Sequence, residues 1–247
     1  MTDTNFPTEE IELPSKGLIY PKENPLSSGK IEMRYMTASD EDILTNINYI
    51  KNGTVIDKLL KALIVSKINY EDLITGDKNA ILVAARVLGY GKDYEFTYKG
   101  KNQVVDLTTI DPKPIDESLY TSGKNEFGFE LPNSGVKITF KLLTGKDEKL
   151  IEQNIKGYQK INKDSNPLIT SRLKQMITSV NGDSTPATIN KFVDTQLLAP
   201  DSRAFRKYYN EISPDIKLEF TIENSEGEEE VANIPIDLNF FWPESGV

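Results

Sequence analysis

The 247-residue chain contains no cysteine and no histidine. The first absence removes disulfides, thiolate metal sites and cysteine nucleophiles. The second removes imidazole ligands, histidine-based triads and proton shuttles working near neutral pH. Any catalysis would have to come from carboxylates, lysine, tyrosine or a carboxylate-bound metal. Long apolar runs are missing too. The longest centres on "ILVAA", Ile81 to Ala85, far short of the roughly 20 residues that cross a bilayer. Positive charge is in deficit: 29 Lys and Arg face 38 Asp and Glu, a net charge of −9. That is the wrong sign for a protein that binds nucleic acid through its phosphates. The start, "MTDTNFPTEE", is polar and acidic and lacks the apolar stretch of a secretory signal, so export is not expected. With 38% hydrophobic and 27% charged residues, the composition is that of a soluble globular chain with room for one large domain or two small ones.

What is present is a passage that occurs twice. "KIEMRYMTASDEDIL" (Lys30 to Leu44) and "KITFKLLTGKDEKLI" (Lys137 to Ile151) align at an offset of 107, with Lys30/Lys137, Ile31/Ile138, Thr37/Thr144, Asp40/Asp147 and Glu41/Glu148 identical. Upstream, "ELPSKG" from Glu12 answers "ELPNSG" from Glu130 at an offset of 118; the first copy carries the 11-residue insertion "LIYPKENPLSS". Downstream, "LLKALI" from Leu59 faces "RLKQMI" from Arg172 at 113, and "LITGDKNAI" from Leu73 faces "LLAPDSRAF" from Leu197 at 124. The last offset also pairs Glu95-Phe96-Thr97 with Glu219-Phe220-Thr221. Collinear blocks in one order predict a tandem duplication. The units run from 11 to 118 and from 127 to 243. A flexible stretch, 1–10, precedes them, 119–126 links them, and 244–247 forms a tail.

Each unit reads as α+β: strands, then helices, then a closing hairpin. "KIEMRYM" and "KITFKLL" have the β-branched and aromatic pattern of strands. Thr37 and Thr144 each precede an Asp-Glu pair in the manner of a capping box, the carboxylates also suiting the positive end of a helix. "GTVIDKLLKALIV" puts Val55, Ile56, Leu59, Leu60, Leu63 and Ile64 on one helical face. "PLITSRLKQMI" begins its counterpart. Thr185-Pro186 gives an N-cap and first helical position, and Phe205, Tyr208, Tyr209 and Ile212 share one side of a later helix. Gly100 and Gly227 sit where hairpin turns between "YEFTYKGKNQVVDL" and "LEFTIENSEGEEEVANI" strands need positive φ.

Candidate chemistry is thin. The Asp-Glu pairs are explained by capping more simply than by acid–base catalysis. The acidic run Glu226 to Glu230 lacks the alternating ligands of a calcium loop, and "VNGDSTP" has no phosphate-binding lysine after it. Asp201 beside Arg203 and Arg206 reads as an ion pair. No catalytic residue, cofactor or metal ligand is assigned. Two apolar features suggest contacts instead. The insertion offers Leu18, Ile19, Tyr20 and Leu26 on a segment stiffened by Pro21 and Pro25, an extended arm that either folds back or docks on a partner. In "IPIDLNFFWPESGV", strand alternation sets Ile236, Leu238, Phe240 and Trp242 on one face and Phe241 on the other. Phe240 is then core, while Phe241 and Trp242 are candidate interface anchors.

"ELPSKGLIYP", "GKIEMRYMTASDEDIL", "LLTGKDEKLI", "DSRAFRKY" and the closing "IPIDLNFFWP" together resemble the baseplate hub and hub-assembly proteins of T-even-type contractile-tailed phages, from Glu12 to Pro243. Where relatives carry Cys-x-x-Cys knuckles in the closing hairpins, this chain has "TYKGKNQ" and "TIENSEGEEE", so no zinc ribbon is expected. The resemblance implies a non-enzymatic structural part of the baseplate in the virion tail, assembled in the host cytoplasm. Its implied partners are other baseplate, hub and tail proteins, and a homo-oligomer is compatible with it; nucleic acid is not. A transient assembly factor is one alternative, and a carboxylate-dependent hydrolase a more remote one.

Overall fold

The computed structural model describes residues 7–161, 163, 166–223, 229–236 and 238–241. The fold is α+β, with small antiparallel sheets and helices packed around one continuous core. In the first half, β1 (Thr8–Glu12) pairs with β2 (Lys30–Arg34). Helices α1 (Ala38–Leu44), α2 (Ile47–Lys51), α3 (Val55–Leu63) and α4 (Thr75–Tyr90) follow, and the hairpin β3 (Asp93–Tyr98) and β4 (Lys101–Asp106) closes it. In the second half, β5 (Phe127–Glu130), β6 (Lys137–Phe140) and β7 (Ile177–Val180) make a three-stranded sheet in that order. Its helices are α5 (Gly145–Ile161), α6 (Leu168–Met176), α7 (Pro186–Thr195) and α8 (Ala199–Ile212), and its hairpin is β8 (Glu219–Glu223) with β9 (Glu229–Asn233). Among the described residues, no helix is long and apolar enough to cross a membrane.

Local chemistry accounts for the element boundaries. The Asp40 carboxylate accepts the backbone N–H and the hydroxyl of Thr37, both at 2.8 Å, and a bidentate pair from Arg34 at 2.7 and 2.8 Å. Asp147 repeats this with Thr144 at 3.0 and 2.9 Å, with Lys141 at 2.6 Å in place of the arginine. Each box ties a strand end to a helix start. In the first hairpin, Tyr98 pairs with Lys101, leaving the two-residue turn Lys99-Gly100 with φ of 48° and 77°, the left-handed pair that matches the strand twist. Gly227 lies outside the described residues. Thr185 caps α7 ahead of Pro186 as expected.

Two expectations are corrected. The helix after Thr54 stops at Leu63; Ile64 is extended and bridges Met33. Likewise Ile177 leaves the helical run and starts β7, opposite Phe140. Both β-branched isoleucines end a helix and join a sheet edge. Met33 and Phe140 are separated by the offset of 107, and Ile64 and Ile177 by that of 113.

The halves are joined by a continuous seam. Phe96 meets Phe220 edge to face at 5.0 Å, and Tyr98 meets the same ring at 5.4 Å. Pro112 bridges Ile216, and Ile74 bridges Thr144. The segment expected as a linker is fastened down. Asn125 makes a reciprocal pair of 2.8 Å hydrogen bonds with the Leu142 backbone, and the Gly123 N–H donates to the Leu18 carbonyl at 2.7 Å.

Candidate partner-binding surface

The arm is not free. Ile19, Tyr20 and Leu26 are 2%, 5% and 0% exposed, and Leu18 is half-buried. Asn24 caps a 3-10 turn over Pro25–Ser28, and Gly29 leaves it with φ of 71°. Gly17, at φ of 75°, lies against the Ser27 carbonyl so closely that any Cβ would collide, which brings the two ends of the insertion together. The anchor is Tyr20. Its hydroxyl donates to the Asp77 carboxylate at 2.6 Å and accepts the Ile74 N–H at 3.2 Å. Of the two readings of the arm, folding back is the one that Ile19, Tyr20 and Leu26 take, with Leu18 left half-buried: the prolines shape a loop that covers its own core. Burying three large apolar side chains stabilises the chain by several kcal/mol at roughly 25 cal/mol per Å².

The C-terminal aromatics are also redistributed. Leu238–Phe241 is a 3-10 turn, not a strand, so alternation does not apply. Phe240 and Phe241 are both buried, at 0% and 1%, and stack edge to face at 5.3 Å. Phe240 also packs against Tyr94 at 4.9 Å, whose hydroxyl donates to the Pro235 carbonyl at 3.0 Å. Phe241 thus belongs to the core, while Ile236 is exposed. Trp242 lies outside the described residues.

The buried carboxylates act as hubs for hydrogen-bond donors. Asp77 accepts the Ser15 N–H at 2.9 Å, the Ser15 hydroxyl at 2.8 Å and the Tyr20 hydroxyl. Burial pushes its carboxyl up to about 6, against the opposing pull of those bonds, and burial with the neighbouring Asp77 charge pushes the Tyr20 hydroxyl well above its ordinary value. Asp201, 124 positions further on, is held in a like way. It accepts the Asn133 N–H and side-chain amide, each at 2.8 Å, and the Ser134 N–H at 3.1 Å. Burial raises its carboxyl, but these donors outweigh burial and hold it below the usual range. Asp147 shows the same balance, with Lys141, Thr144 and Gln175 prevailing. At Asp40 the Arg34 guanidinium is the leading influence and holds the carboxyl down. The donors on each carboxylate come from backbone and side chains that fix the fold, which is a structural use of the charge. Among the described residues, no three carboxylates converge as metal ligands would.

Part of the exposed apolar surface lies on two helices of the second half, on residues that sequence reasoning did not single out. Leu150, Tyr158 and Ile161 on α5, and Leu168 and Ile169 on α6, are 40%, 49%, 89%, 44% and 51% exposed. Their signal in the sequence is weak, because α5 is mostly polar and its outward apolar residues are spaced irregularly. At the seam lies a cleft of about 570 Å³ with Ile74, Lys113, Arg172, Tyr209, Asp215 and Glu219 in its wall. Large apolar side chains exposed on two neighbouring helices fit protein contact better than they fit solvent.

No curated protein and no solved structure gives a match. The family described as T4 bacteriophage base plate protein matches residues 9–242, through both halves, the packed insertion and the C-terminal turn. The chain belongs to the T4 bacteriophage base plate protein family.

Proposed function

We propose that this baseplate protein is a component of the baseplate hub, acting through protein–protein contacts and performing no catalysis. The observation that carries the reading is the family match over 9–242, which takes in nearly all of the described fold. The apolar face of α5 and α6 is the surface offered to a neighbouring baseplate protein, with aromatic and aliphatic anchors available in Tyr158 and Ile161. The proposal includes assembly in the host cytoplasm and an origin by duplication. The duplication is supported by the matching capping boxes at Asp40 and Asp147, the matching bridges at Met33 and Phe140, and the matching loop clamps at Asp77 and Asp201.

Quantitative mass spectrometry of purified virions and of isolated hub intermediates tests this. The expected result is the chain in both, at a fixed ratio to other hub proteins. Its presence in intermediates but not in virions would make it a transient assembly factor. Its absence from both would end the hub reading.

A further inference from the structure

Within the chain, the two halves meet through unlike surfaces. The first half presents the start of α4. The Leu73 carbonyl accepts the Gly145 N–H at 2.9 Å, Asn79 donates to Asp215 at 2.9 Å, and Glu71 pairs with Lys149 at 2.6 Å. Gly76 lies so close to Pro214 that a Cβ would collide with its carbonyl. The second half presents the start of α5 and the end of α8. By the repeat offsets, Ile74, Gly76 and Asn79 correspond to Leu198, Pro200 and Arg203, and Thr144, Gly145 and Lys149 correspond to Thr37, Ala38 and Asp42. Apart from Thr37, which is half-buried, these counterparts are uncovered. Leu198 is 50% exposed where Ile74 is 2%, and Pro200, Arg203, Ala38 and Asp42 are all exposed. The molecule therefore holds one joint that is made and both sides of a like joint that are not.

We infer that a second copy of this chain docks head to tail on these two faces, the α8 start of one copy meeting the α1 start of the next. Unlike faces on one molecule propagate into rings or filaments rather than closing as a two-fold dimer. The charges match: Arg203 and Lys207 are exposed on one face, Glu41 and Asp42 on the other. Pro200 is the departure. Where Gly76 lets two backbones touch, the proline ring holds the neighbour off, so the joint between copies is looser than the joint within one.

The inference rests on the equivalence of the two halves, which an experimental structure checks separately: the halves superpose or they do not. Association itself is read by sedimentation velocity of the full chain over a concentration series. The mass should rise with concentration. Arg203→Glu and Asp42→Arg should each weaken association about ten-fold or more, with thermal unfolding unchanged because both side chains are exposed. An equimolar mixture of the two variants should recover association, since one joint of each mixed pair is native and the other has its charges exchanged. Pro200→Gly should tighten association. A chain that stays monomeric throughout, or variants that associate like the wild type, would overturn the proposal even if the halves superpose.

Discussion

Replacing Phe241 by alanine is expected to cost the folded chain about 3–5 kcal/mol, the usual range for deleting a fully buried aromatic ring. The ring is 1% exposed and packs on Phe240, which in turn packs on Tyr94 of the first half. The turn that carries it therefore closes the C-terminal segment over the β3–β4 hairpin. Removing the ring opens a cavity at that closure and loosens the contact between halves. Urea unfolding followed by far-ultraviolet circular dichroism measures the loss. A change under about 1 kcal/mol, the range of an exposed substitution, would show that Phe241 is not core in solution.

Asp77→Ala is the second large effect. It leaves the Ser15 N–H, the Ser15 hydroxyl and the Tyr20 hydroxyl without their shared acceptor in a site that solvent does not reach. Each buried donor left unpaired costs about 1–3 kcal/mol, so a loss of about 3 kcal/mol or more is expected, with the insertion released first. The effect has a pH signature. The folded-state value of Asp77, about 6, lies above the ordinary 3.8, so the folded chain binds this proton more tightly than the unfolded chain does. Protonation of Asp77 therefore adds stability as pH falls through 6 towards 4, and this gain is absent above about pH 7. The gap between wild type and variant should widen by about 2 kcal/mol from pH 7.5 to pH 4.5. A gap that stays flat or narrows would contradict the assignment. Asp40 and Asp147 are held low and act in the opposite sense, losing their contribution as pH falls below about 4.

The features legible in the sequence were those decided by neighbours in the chain. Thr37 and Asp40, Thr144 and Asp147, Thr185 and Pro186, and Lys99-Gly100 each fix a local backbone with a local hydrogen bond or a left-handed residue, and each appears where the sequence predicts. The features missed were decided at a distance. Tyr20 is buried because Asp77, 57 positions away, accepts a hydrogen bond from its hydroxyl; nothing within the insertion says so. Phe241 turns inward because the chain enters a 3-10 turn against Tyr94, where strand alternation had pointed it outward. Ile64 and Ile177 leave their helices to meet Met33 and Phe140, a choice made by a sheet edge and invisible to helical periodicity. The exposed side of α5 and α6 leaves no mark in the sequence, because surface apolar residues carry no period of their own.

Depletion of this chain during infection tests the central claim most directly, with complete baseplates counted by electron microscopy of the lysate. A structural or assembly role in the hub predicts normal heads with baseplates missing or arrested, restored when the chain is supplied in trans. Complete baseplates in normal number, formed without the chain, would contradict it.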